Sequence, residues 1–254
     1  MEKFIQRIAK KAGDEVMKRF GKDGVRFTKS SHPISAVTNA DLLSDRIIIS
    51  AIKKRYPKHG IVSEESGIWN QHAEYTWIVD PIDGTLNFAN SIPYFAVLIA
   101  LARGEEIVLA AVYLPALKEL FFAKAGKGAY LNGVRIRSTR KRQWKHSAGS
   151  IPSILNKRAA AFFKGLLEQA PGNEFLISNF GGAGEPYVAI GRRDWSVSIG
   201  AHVWDYAPGF LIAKEAGCVA TNLKGRPWRM KDRELLVAAN PVLHKQLLKL
   251  TKNV

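Results

Sequence analysis

Residues 77–88 read Trp-Ile-Val-Asp-Pro-Ile-Asp-Gly-Thr-Leu-Asn-Phe (WIVDPIDGTLNF). The apolar triplet Trp77-Ile78-Val79 predicts a short strand that ends on Asp80, with Asp83 three residues further on. Pro81 stiffens the turn, and Gly84 lets the backbone come close to a ligand. Two carboxylates this near each other repel unless a cation sits between them. Hard divalent cations such as Mg²⁺ take oxygen ligands of this kind and keep several waters. The same residues also fit a plain turn with an Asp capping the next helix, and the segment alone does not choose.

Working outward, four more acids stand where acids are costly. Glu64-Glu65 follows the short apolar run Gly60-Ile61-Val62-Ser63, again at the end of an expected strand. Asp205 lies in His202-Val203-Trp204-Asp205-Tyr206-Ala207, at the start of an otherwise apolar helix. Asp41 follows Thr38 by three residues, a capping box with Asp in place of the usual Glu. Taken singly, these are two solvated glutamates, an N-cap and a helix cap.

The elements around them are mixed. Phe4, Ile5, Ile8, Ala9, Ala12, Val16 and Phe20 recur at helical spacing, with Gly21 as a stop. A polar, basic segment over 22–33 precedes a second helix from Thr38 to Pro57. Continuous apolar runs at 95–101 and 107–113 predict strands buried on both faces. Strands follow at 119–124 and 128–131, with Asn132-Gly133 as a hairpin turn. Residues 135–145 carry six basic side chains and no acid, and read as a solvated loop at a boundary. Beyond it come a helix over 152–169, short strands near 175–178 and 195–199, and a helix over 204–216. Pro208 is tolerable there only in the first turn. A strand at 235–238 and a last helix capped by Asn240-Pro241 complete the chain. Such mixing with hairpins favours α+β over a purely parallel wound sheet. Trp69, Trp195 and Trp228 read as packing or rim residues.

At 254 residues the chain can bury a large core without staples. A hydrophobic share of 46% with 24% charged residues excludes disorder, collagen and coiled coil. The longest apolar run, 95–102, is far short of the roughly 20 residues a membrane span needs. The start Met1-Glu2-Lys3-Phe4 enters an amphipathic pattern without the apolar stretch of a secretion signal. Cys218 is alone and cannot form an internal disulfide. The expectation is a soluble, cytoplasmic protein, with Cys218 buried. Thirty-eight basic against 22 acidic residues give a net charge of +16, which attracts nucleic acid, anionic lipid or phosphorylated small molecules alike. Gly182-Ala183-Gly184 is not a dinucleotide fingerprint, because Tyr187 occupies the third glycine position.

Together, Val62-Ser63-Glu64-Glu65-Ser66-Gly67, the stretch 77–88 and Trp204-Asp205 through Glu215-Ala216-Gly217 strongly resemble the inositol monophosphatase superfamily of metal-dependent, lithium-sensitive phosphatases. Val37-Thr38-Asn39-Ala40-Asp41, with Lys29 ahead of it, resembles a further family segment. The resemblance implies a layered αβαβα sandwich. It implies an N-terminal α+β part (1–140) with most of the metal ligands and a C-terminal α/β part (141–254) contributing Asp205. It implies two or three Mg²⁺: one on Glu64, Asp80 and the Ile82 carbonyl, one on Asp80, Asp83 and Asp205, and a weaker third near Glu64. Thr85 and Asp41, with Glu64, would carry catalysis by positioning the attacking water. Asp83, Asp205 and the N–H groups of Gly84 and Thr85 would meet the phosphate. Gly181, Gly182 and Ser198 would lie on the substrate side.

The implied substrate is a small phosphate monoester such as myo-inositol 1-phosphate. Histidinol phosphate, fructose 1,6-bisphosphate and 3′-phosphoadenosine 5′-phosphate are alternatives. Asn87-Phe88 resembles the inositol-type branch. Ser198 stands where inositol phosphatases commonly carry Glu, and residues 179–184 depart from the usual small-hydroxyl-small pattern. A homodimer is the family default. The resemblance also allows a binding role, since some bacterial relatives double as RNA- or transcription-complex-associated proteins, which the basic surface would suit.

Overall fold

The structure, a computed structural model, describes residues 1–29, 36–70, 72–138, 147–151, 156–168, 177–178, 184–200 and 202–251. Helices α1 (Glu2–Met17) and α2 (Asn39–Arg55) flank a small antiparallel hairpin of β1 (Val25–Thr28) and β2 (Ala36–Thr38). The chain then builds β3 (Gly60–Ser63), β4 (Gly67–Trp69), β5 (Tyr75–Asp83), a short helix α3 (Thr85–Ala89), β6 (Ala96–Arg103), β7 (Glu106–Leu114), β8 (Glu119–Lys124), β9 (Gly128–Leu131) and β10 (Val134–Ile136). These eight strands form one sheet in the order β10-β9-β8-β7-β6-β5-β3-β4. Only β3 and β5 run parallel in it.

The second half supplies β11 (Gly149–Ser150), α4 (Lys157–Glu168), β12 (Ile177–Ser178), α5 (Gly184–Ala189), β13 (Trp195–Ile199), α6 (Val203–Glu215), β14 (Val219–Thr221), β15 (Glu234–Ala238) and α7 (Pro241–Leu250). Its five strands are ordered β12-β11-β13-β15-β14.

The core explains the layers. Along β6, Val97, Ile99 and Leu101 pack with Ile5, Ile8 and Ala12 of α1 and Ile48 and Ile52 of α2. The alternate residues Ala96, Leu98, Ala100 and Ala102 face the opposite side, with Ala207, Leu211 and Ile212 of α6. Period-two alternation of two apolar sets is what a strand covered on both faces requires. Helices α5 and α6 lie between the two sheets, and α7 packs on β15 with α4 beside it. Phe162 of α4 meets Trp195 of β13 edge to face at 6.5 Å. The result is the αβαβα order expected.

Most elements fall where the sequence places them. The Thr38 capping box forms. Asn132 and Gly133 both take positive φ, 49° and 83°, as a two-residue hairpin turn of this hand needs. Asn240 caps α7 through bonds from the Val242 and Leu243 N–H groups. Trp195 and Trp228 are buried and Cys218 is buried, whereas Trp69 is a rim residue under the Lys53 ammonium.

Five expectations change. The polar segment at 22–33 contains β1, which all-exposed residues disguise because no alternation marks it. Helix α1 stops at Met17, ahead of Gly21. Strand β5 does not end on Asp80 but continues to Asp83. Pro208 is the sixth residue of α6, past the first turn, so the Trp204 carbonyl loses its usual partner. The first two residues of the loop expected at 135–145 belong to β10 (Val134–Ile136), while 139–146, with the proposed 140/141 boundary, lies outside the described residues. The start and end of the helix expected over 152–169 and the first half of the strand expected at 175–178 also lie outside them. No helix of the described residues is long and apolar enough to cross a membrane.

Gly149 marks the tightest joint of the smaller sheet. A Cβ there would lie 2.0 Å from the ring of Trp195, which is fully buried. Gly149→Ala is therefore expected to lower stability by about 2 kcal/mol through overpacking. A shift of the urea midpoint to lower concentration checks this, and an unchanged midpoint would show that the ring can move aside.

Candidate active site

One face of α2 assembles the site. Asp41, Ser44 and Asp45 follow at i, i+3 and i+4, so they share a stripe. All three are buried. Asp41 Oδ2 accepts from the Thr38 N–H at 2.7 Å and the Thr38 hydroxyl at 2.5 Å, and its Oδ1 accepts from Thr85 Oγ1 at 2.9 Å. Ser44 donates to the Pro81 carbonyl at 2.8 Å. Asp45 accepts from Ser63 Oγ at 2.5 Å and from Ser66 Oγ. The capping residue of a helix thus fixes Thr85, and the next turn fixes both strand ends that carry acids. Ser44 and Asp45 were not picked out from the sequence, although their spacing from Asp41 was the available signal.

The two aspartates of β5 owe their common side to a bulge. Asp80 pairs with Leu98 and Asp83 with Ala96, so three residues of β5 span two of β6. In an unbroken strand residues three apart point to opposite faces; the extra residue at Pro81-Ile82 returns Asp83 to the face of Asp80. Leu98 and Ala96 both belong to the α6 side. Helix α6 then brings Asp205 in its first turn, where Asp205 Oδ2 accepts from the His202 N–H at 2.5 Å. Both cap roles seen from sequence are real, and the same carboxylates also face the cluster. Gly84 adopts φ 91°, and a Cβ there would meet the Tyr94 carbonyl at 3.2 Å. In this structure the close approach it permits is to its own chain.

The electrostatics follow from burial. The Asp80 carboxyl is pushed far above its ordinary range, first by burial and then by the charges of Glu64, Asp83, Asp205 and Asp41. Asp205 rises to about 7, mainly through burial, with the His202 N–H opposing and Glu64 and Glu185 adding to the rise. Asp41 rises to about 6 because it is buried, against the bonds from Thr38 and Thr85. Glu64 is held by Lys29, whose Nζ lies 3.0 Å from Glu64 Oε1 and 2.7 Å from Glu65 Oε1. Burial opposes the Lys29 charge, but these partners raise its pKa overall.

No three His, Cys, Asp or Glu side chains among the described residues form one ready ligating group. The surroundings of Asp80 nevertheless fit a cation. Its Oδ1 is buried without a hydrogen-bond partner. An all-oxygen donor set around such an atom suits a hard ion such as Mg²⁺.

The Ile82 carbonyl, expected as a ligand, accepts from Thr85 Oγ1 at 2.9 Å. Ser198 is bonded to a carboxylate that the sequence reading missed, Glu185, at 3.3 Å. Gly181 and Gly182 lie outside the described residues.

Comparison with known proteins shows the family and the fold. The model of the inositol monophosphatase family matches residues 1–254. A fructose-1,6-bisphosphatase/inositol-1-monophosphatase of Aquifex aeolicus is 34% identical over 265 residues, covering 99% of this chain and 96% of the relative. The Nus factor SuhB of Escherichia coli K12 is 34% identical over 248 residues, covering 95% and 92%. The solved IMPase of Thermotoga maritima superposes with a TM-score of 0.88 at 30% identity, covering 99% and 96%.

The raised Asp41 carboxyl has a measurable consequence. Between about pH 4 and about pH 6 the unfolded chain releases this proton while the folded chain keeps it. Asp41 therefore contributes stability that declines as pH rises through that window and is constant above it. Urea unfolding of the chelator-treated protein across the window is expected to show a shallower decline in Asp41→Asn than in the wild type. Equal slopes would mean that Asp41 is ionised throughout.

Proposed function

The chain belongs to the inositol monophosphatase family, a family of phosphatases, and from that premise we propose that it hydrolyses a small phosphate monoester with water and Mg²⁺. The observation that carries this reading is the buried Asp80, with one oxygen unsatisfied among four other acids. Glu64, Asp80, the Ile82 carbonyl, Asp83 and Asp205 would hold two or three ions, the weakest near Glu64. Bound there, Mg²⁺ supplies positive charge at the phosphoryl and water oxygens.

The chain's own groups do the rest. The Thr85 hydroxyl has one proton and two acceptors, Asp41 Oδ1 and the Ile82 carbonyl, both at 2.9 Å. When it donates to Asp41, its oxygen is left to accept from the attacking water and orient it. Asp41, placed to accept from Thr85, is then the group that can take up a proton relayed from the water. In this reading the N–H groups of Gly84 and Thr85 would meet the phosphate with Asp83 and Asp205 beside it, and Ser198 would meet the rest of the substrate. Most of the rate must come from charge and placement, since no side-chain nucleophile is required.

A polyol phosphate such as myo-inositol 1-phosphate is our leading substrate. Inhibition by Li⁺, a homodimer and a cytoplasmic setting belong to the same reading. The net charge of +16 and the likeness to Nus factors support a second reading, binding to RNA or a transcription complex. Steeply salt-dependent RNA binding that survives Asp83→Asn would favour it.

Phosphate release from inositol 1-phosphate, histidinol phosphate, fructose 1,6-bisphosphate and 3′-phosphoadenosine 5′-phosphate, with and without Mg²⁺, tests the first reading. Release from at least one, only with Mg²⁺, is expected. Asp83→Asn is expected to lower turnover about a hundredfold or more with the fold retained, and retention of most activity would remove the two-ion assignment. Thr85→Ala is expected to lower kcat about a hundredfold with a small change in KM; an unchanged rate would remove Thr85 from water positioning.

A further inference from the structure

The end of α2 remote from the acids carries a second polar surface, of opposite sign. Asp41 lies in the first turn of α2 and Lys53, Lys54 and Arg55 lie in its last, about 20 Å away at the rise of a helix. All three cations are exposed, as is Lys58 beyond the helix. None of the four forms an ion pair among the described residues. Cations in a last turn suit the helix dipole. That does not account for Lys58, or for the rings beside these cations.

The rings come from other elements. Trp69 of the edge strand β4 pairs with Ile61, and Ile61 pairs with Trp77, so the three share the face of the sheet that α2 covers. The Lys53 ammonium lies 4.3 Å from the centre of the Trp69 ring. Asn70 Nδ2 donates to the Lys58 carbonyl at 2.9 Å, which ties the segment after α2 to the end of β4. Next to them Tyr56, His59 and Tyr75 stack, with neighbouring centres 4.9 and 5.2 Å apart and planes within 18° of parallel. His59 Nδ1 accepts from Trp77 Nε1 at 3.1 Å, which fixes the middle ring. Arg55 lies 5.5 Å from the Tyr56 ring, and Arg103 lies 5.8 Å from that of Tyr75. Three cations are thus laid against three aromatic rings on one side of the molecule.

Trp69 is the open member of this set. It is 53% exposed, and one ammonium covers only one face of a ring. A flat open ring among cations without acidic partners suits an unpaired base and the phosphates on either side of it. A lipid surface would ask for a wider apolar patch. Here the other exposed apolar side chain of β4, Ile68, pairs with Val62 and lies on the opposite face of the sheet. We propose that the last turn of α2 and strand β4 form a docking surface for single-stranded RNA, with a base stacked on Trp69 and phosphates held by Lys53, Lys54, Arg55 and Lys58. The proposal rests on the RNA-binding reading and sets that binding apart from the acidic cluster.

The test is fluorescence anisotropy of an unpaired, labelled RNA of about 12 nucleotides, with chelator present to keep ions out of the acidic cluster. Trp69→Ala is expected to weaken binding about tenfold with an unchanged salt dependence, because stacking releases no counterions. Trp69→Phe keeps a ring and should recover most of that loss. Lys53→Gln, Lys54→Gln and Arg55→Gln combined should weaken binding and make the slope of log affinity against log salt shallower by about 2. Asp83→Asn should bind as the wild type does. Should the combined variant not fold, as judged by thermal unfolding, the two Trp69 variants decide alone. Unchanged affinity in Trp69→Ala overturns the proposal and leaves the RNA-binding reading standing. Loss of binding in Asp83→Asn does the same, by placing the RNA at the acids. Tighter binding to a duplex of the same sequence, or displacement of the RNA by vesicles of anionic lipid without any effect of Trp69→Ala, also overturns it. No binding by the wild type at low salt overturns both.

Discussion

The constraint on which the site depends is a carboxylate oxygen that no protein group satisfies. Asp80 is buried at the centre of the molecule, on the face of the large sheet that α6 covers, and Oδ1 has no partner. Left alone, such a group would take up a proton or unfold its surroundings. The fold instead adds acids around it, from β3, from a bulge in β5, from α2 and from α6. Four elements of different origin converge on a point that each of them makes less favourable. Only a bound cation turns that arrangement from a cost into a gain, which is why the rest of the structure reads as scaffolding for the cluster.

The scaffolding is local and specific. Helix α2 fastens three separate segments with one stripe of polar side chains, and all three of these fasteners are hydroxyl contacts to backbone or carboxylate. The N-terminal turns of α2 and α6 each spend an aspartate on a capping box, and in both cases a carboxyl at that site also enters the cluster field. A helix start brings fixed N–H dipoles that tolerate negative charge. The capping role therefore lets Asp41 and Asp205 remain in place when no cation is present, and the two roles reinforce each other.

Residue pattern made much of this legible. The paired apolar runs at 95–101 and 107–113 disclosed a doubly covered sheet, and the segment 77–88 with its partners disclosed the acids. What stayed hidden depends on contacts between distant residues. The bulge at Asp80–Asp83 is set by pairing with β6, so the sequence shows only Pro81 as a hint. Strand β1 has no buried side and so no alternation to read. Asp45 and Ser44 look like ordinary helix residues until Ser63, Ser66 and the Pro81 carbonyl are brought to them. Glu185 was passed over for the same reason: its partner Ser198 is not near it in sequence.

Charge operates here on two length scales. The whole chain carries +16, yet Asp41, Glu64, Asp80, Asp83, Glu185 and Asp205 gather at one place. Over distances beyond about 8–10 Å, salt screens individual charges, so an approaching anion meets mainly the nearest part of a basic surface. At contact distance the acids dominate, and under the proposed reading an anion would be admitted only after cations had reversed their sign. The acidic cluster would then act as a filter on timing, since a phosphate ester would gain from the surface field at every stage but from the site only when it is loaded.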